Sequence, residues 1–146
     1  MASLKDLVGS DEKREAVIED AQQVLDAEVS DKGGISGMAI KTAYKMVKGI
    51  QPGFIRKVVN ALLDDFLDQL DPLYQEALEQ GKAPGQHLKD NKSRVAEALL
   101  GVTDKRAQAS DNGAVKKMYE KLRPSAAKHV EDAAPRLAAM LERHAG

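Results

Sequence analysis

The chain has 146 residues, with 22 lysines and arginines against 23 aspartates and glutamates, for a formal net charge of -1. That length can bury a core without staples, and the near-neutral balance lacks the global positive field a nucleic-acid or anionic-membrane binder would use. Cysteine is absent, which excludes disulfides, thiolate metal sites and a cysteine nucleophile.

Aromatic residues are scarce, so Leu, Val, Ile, Met and Ala must fill the interior, which suits close helix packing better than a sheet. The expectation is an all-α fold, a single bundle of six to eight helices over residues 1–146. The opening MASLKDLVGSDEKRE reaches acids before any apolar run long enough for a signal peptide, and no later stretch approaches membrane-spanning length. A cytoplasmic protein is therefore expected, and neither Ala2 nor the final His-Ala-Gly signals lipidation.

After a short turn over Leu4 to Val8, Asp11 to Val29 reads as a helix. Val17, Ile18, Ala21, Val24, Leu25 and Val29 recur at three and four, and Asp11 and Glu12 sit where the helix dipole favours acids. Gly33 and Gly34 end it. From about Ser36 to Lys48 an amphipathic helix follows, with Ile40, Ala43, Tyr44, Val47 and Ile50 on one side and Lys41, Lys45 and Lys48 on the other. Gly49 to Gly53, with Pro52, break it. Gly53 to Leu70 carries the strongest apolar stripe and should be the central core helix. Asp71-Pro72 reads as a cap with proline at the first helical position, so a separate helix, Pro72 to Gln80, should leave at an angle.

Lys82 to Gln86 reads as the midpoint loop. A helix from about Gln86 or Ser93 to Ala109 follows, then a short one over Ala114 to Leu122 capped from Ser110-Asp111-Asn112-Gly113. Arg123-Pro124-Ser125 should break the chain again, and Pro135 should kink or divide the last helix, Ala126 to His144.

The halves align at an offset of about 72 to 75 residues, which pairs Val29-Ser30-Asp31-Lys32 with Val102-Thr103-Asp104-Lys105, Tyr44 with Tyr119, and Pro52 with Pro124. This reads as a degenerate duplication, roughly 11–81 and 86–146, in which each half covers the apolar face of the other; chance agreement between similar helices is the alternative.

Charge is segregated. Lys32 to Lys57 holds only cations, whereas Val58 to Gly81 holds Asp64, Asp65, Asp68, Asp71, Glu76 and Glu79 and no cation. Lys41, Lys45, Lys48, Arg56 and Lys57, with free amides near Gly33-Gly34 and Gly53, make the candidate surface for an anionic partner, either a protein or a small ligand. The alternative is that the two runs pair with each other or are merely solvated. Asp64-Asp65-Phe66-Leu67-Asp68 resembles the aspartate-rich motif of prenyl-transferring enzymes, which makes Asp64 and Asp68 candidates for magnesium. The chain is about half the length of such an enzyme and has no second aspartate-rich helix, so a solvated helix face explains these acids better. His87, His129 and His144 show no metal-binding spacing, and the glycines around Gly33 lack the lysine of a P-loop.

The run DAEVSDKGGISGMAIKTAYKMVKGIQPG, the later Val102-Thr103-Asp104-Lys105 and the closing Pro135-Arg136-Leu137 resemble a family of short, uncharacterised all-helical bacterial proteins. That resemblance covers nearly the whole chain and implies a bacterial cytosolic protein, but it carries over no activity and no site residue. The sequence points to a non-catalytic interaction module without a cofactor, able to form a homodimer if apolar surface is left over. A small lipid or apolar-ligand carrier built on Met38, Met46, Met118 and Met140 is the alternative, and a magnesium-dependent enzyme is a third reading.

Overall fold

The computed structural model describes residues 3–145, apart from the side chain of Ser36. Met1, Ala2 and Gly146, the ends read above for lipidation, lie outside the described residues. Within them the chain forms seven helices and no strand: α1 (Leu4–Val8), α2 (Asp11–Asp31), α3 (Gly34–Lys48), α4 (Phe54–Glu79), α5 (Pro84–Asp90), α6 (Lys92–Gln108) and α7 (Gly113–Ala145). The fold is all-α, as composition and periodicity imply.

Local chemistry sets several helix starts. Ser3 and Asp6 close a reciprocal capping box at α1, with Ser3 Oγ accepting from the Asp6 amide at 3.1 Å. At α7 the Asn112 side chain accepts from the amides of Ala114 and Val115, both at 3.1 Å. The entry to α3 depends on glycine twice. Gly34 has φ +71°, and a Cβ on Gly37 would lie 2.8 Å from the carbonyl carbon of Lys32.

The core runs along α4. Leu63, Leu67, Leu70 and Leu73 meet Leu4 and Val8 of α1, Val17 and Ile18 of α2, Leu88 of α5, Val95 of α6, and Ala138 and Leu141 of α7. Every helix except α3 contributes a residue to this cluster. α3 touches α2, α4 and α7 only sparsely for its length, and its one buried hydrophobic is Ala43.

The expected breaks at Pro72 and Pro124 are absent, and Pro135 does not divide its helix. α4 runs unbroken through Pro72, and α7 runs unbroken through Pro124 and Pro135. All three prolines are exposed, so each missing hydrogen bond frees a carbonyl on the solvent side, where water satisfies it, while the buried face stays continuous. Asp71 does not cap a new helix: its carboxylate accepts from the Leu4 amide at 2.9 Å, so α4 caps the start of α1. In the second half, Pro84 starts α5 at its first position, and the break before α6 falls at Asn91.

Candidate functional site

Turning by about 100° per residue, α3 points Ala43 and Gly37 inward, with Ile40, Tyr44 and Val47 partly covered. Its solvent side divides into two sectors. One holds Lys41, Lys45 and Lys48. The other holds Ile35, Met38 and Met46, which are 90%, 69% and 57% exposed; the sequence reading named the two methionines only as lining for an apolar ligand and did not place them on an open face. The end of the helix adds Ile50, also exposed. Folded proteins expose scattered apolar residues routinely, but here they share one face of one helix.

The candidate cations part company in the structure. Arg56 turns toward α2, where it pairs with Glu15 and lies 3.5 Å from Glu19. Lys48 stands 3.8 Å from Asp26 of α2 and 5.2 Å from the centre of the Tyr44 ring. The Tyr44 hydroxyl donates to the same Asp26 at 2.5 Å. Burial and that carboxylate together push the Tyr44 phenol well above its ordinary pKa. Lys41, Lys45 and Lys57 have no ion-pair partner among the described residues.

The acids of α4 do not neutralise them. Arg14 bonds Asp64 at 2.9 Å, Lys5 lies 3.8 Å from Asp68, Arg106 lies 3.5 Å from Asp65, and Arg94 bonds Glu76 at 2.8 Å. Asp64, Asp65, Asp68 and Glu76 are therefore paired with α1, α2 and α6, and Asp71 accepts from the Leu4 amide of α1. Among the described residues no ion pair joins the lysines of α3 to these acids.

The magnesium candidates fare differently as a pair. Asp68 lines an open groove with Asp65, Glu97, Lys105 and Arg106, while Asp64 turns to Arg14 on the other side. Guanidinium and ammonium groups stand where a cation would bind. Among the described residues no three histidines or carboxylates converge as metal ligands.

Two other polar clusters hold the bundle together. Where α2 meets α3, Lys32 lies 3.2 Å from Glu28 and 3.8 Å from Asp132, and Arg136 bonds Glu28 at 2.7 Å and pairs with Asp31. These residues and His129 line a cleft of about 310 Å³ whose charges already compensate one another. Both ring nitrogens of His129 are buried without a hydrogen-bond partner among the described residues. Burial, then the nearby Lys32, lowers its pKa. Under α4, His87, only 3% exposed, places Nε2 3.0 Å from Glu76, and the hydrogen bonds from His87 and Arg94 hold the Glu76 carboxyl below the ordinary range. No sequence pattern announced this pair, because its residues come from different helices.

No helix among the described residues is long and apolar enough to cross a membrane. No curated protein and no solved structure matches the chain. A family model described as a family of unknown function, DUF6918, matches residues 4–145, and the chain belongs to that family.

Proposed function

We propose that this member of the family is a non-catalytic binding module whose partner surface is the solvent face of α3, read by an anionic partner. One observation carries the reading: Lys41 and Lys45 have no acid partner while Asp64, Asp65, Asp68 and Glu76 of α4 are paired with other helices, and exposed Ile35 and Met38 lie on the same helix. Unpaired cations beside uncovered apolar side chains attract negative charge and gain from having the apolar area covered. Lys57, exposed in the first turn of α4, likewise has no ion-pair partner among the described residues. Arg56 and Lys48 contribute less, because α2 already holds them.

Binding of poly-L-glutamate and of phosphatidylglycerol vesicles to the full chain tests this. At least one should bind, with affinity falling about tenfold or more in the double variant K41E/K45E, since lost charge attraction becomes repulsion. Equal binding by the native chain and the variant, or no binding of either probe, contradicts the proposal.

We further propose a cytoplasmic protein, supported by the absence of cysteine and checked by cell fractionation, where recovery from a secreted fraction would count against it. The duplication also draws support. Tyr44 and Tyr119 each donate to an aspartate of the preceding helix, Asp26 and Asp104, and the cation one turn on, Lys48 or Arg123, reaches the same carboxylate. The match is imperfect, since the sequence overlay pairs Asp104 with Asp31. If the halves of other family members fail to align at the same offset, the duplication falls.

A further inference from the structure

We infer that the partner is an acidic amphipathic helix of another protein, seated in the groove between α3 and the first half of α7; this rests on the reading of the α3 face given above. The apolar sector of α3 borders α7, so Met38 and Met46 form one wall of a groove and Met118 and Leu122 the other. Ala39, Thr42 and Ala43 lie between the two α3 methionines and leave room for a close backbone. By helical geometry Lys45 adjoins Met38 at the rim of the groove on α3, with Lys41 one turn before it and further round the helix, and Lys121 lines the groove on α7. Lys117 precedes Lys121 by one turn on the same helical face. In section the surface is cationic, apolar and cationic again.

The complement of that section is a helix with an apolar stripe and acids on both flanks. Dimensions agree: Met38 to Met46 spans about 12 Å of helix, roughly the length over which a docked helix presents anchors at i, i+3 or i+4, and i+7. The groove holds about 270 Å³, little for an acyl chain, but enough to receive side chains inserted from outside. Methionine walls adapt to different inserted shapes.

Other occupants fit less well. A bilayer meets convex faces and favours aromatic residues at the headgroup level, whereas this groove is concave and its walls carry no aromatic residue. A second copy would need its own free acidic, apolar helix face. Away from the α3 segment, the exposed large hydrophobics among the described residues are the isolated Leu25 and Leu78.

The test titrates the full chain with a fluorescent synthetic helix bearing a leucine stripe flanked by glutamates. Controls are a peptide of the same composition with the stripe scrambled, and phosphatidylglycerol vesicles. The striped peptide should bind at least about tenfold more tightly than the scrambled one, and both K41E/K45E and M38S/M46S should weaken it by about as much. All four side chains are exposed, so melting temperatures should stay near native, which separates lost binding from lost folding. Equal binding of both peptides, or binding of vesicles alone, overturns the helix inference while leaving an anionic partner in place. Loss of binding to both peptides and vesicles overturns both.

Discussion

At the scale of single residues, the sequence reading found cations but not the company they keep. Lys41 and Arg56 look alike in a sequence, yet one lacks a partner and the other crosses to α2, because pairing depends on which helices pack side by side. His129 was set aside for lack of a metal-binding spacing, and its significance in the structure is energetic. A buried ring nitrogen without a partner costs about 1–3 kcal/mol, so H129L should stabilise the chain by about 1 kcal/mol at neutral pH. The pH dependence has a definite sign. The folded ring has a lowered pKa, so as pH falls through about 6.5 the unfolded chain binds the proton first and native stability drains away. H129L lacks that drain, and its advantage should be larger near pH 5 than near pH 8 in urea titrations. A smaller advantage in acid would contradict this account.

At the scale of elements, periodicity located the helices and proline misplaced their ends. The reading at Pro72, Pro124 and Pro135 followed from the lost amide. What it could not weigh was that each ring faces water while leucines and alanines hold the opposite face together. The uncompensated cost remains, so P72A should raise stability by about 1–3 kcal/mol by restoring a bond to the Asp68 carbonyl; a destabilised variant would mean the ring packs usefully. α3 shows the reverse case. Its inner stripe was legible, but its second apolar sector was not, because Ile35, Met38 and Met46 look like core residues until the neighbours are in place. Lying outside the main cluster, α3 should open before the rest. Hydrogen exchange should therefore label amides of residues 34–48 sooner than those of α4. Equal protection would mean that α3 is held as firmly as the core.

At the scale of the molecule, a net charge of -1 conceals a division of labour. Acids on α2 and α4 are used to tie helices together, through Arg14, Arg56, Arg106 and Arg136 among others, while Lys41 and Lys45 of α3 are left exposed at the surface. Composition could give the total and the run lengths could give the segregation. Only the packing shows that, among the described residues, no ion pair joins the basic run to the acidic run. The most direct test follows the methionine methyl groups by NMR in isotope-labelled full-length protein while poly-L-glutamate is added. The account predicts that the methyls of Met38, Met46 and Met118 shift with the titration while that of Met140, buried in α7, stays in place. No movement at the three groove methyls, or movement at Met140 alone, would contradict it.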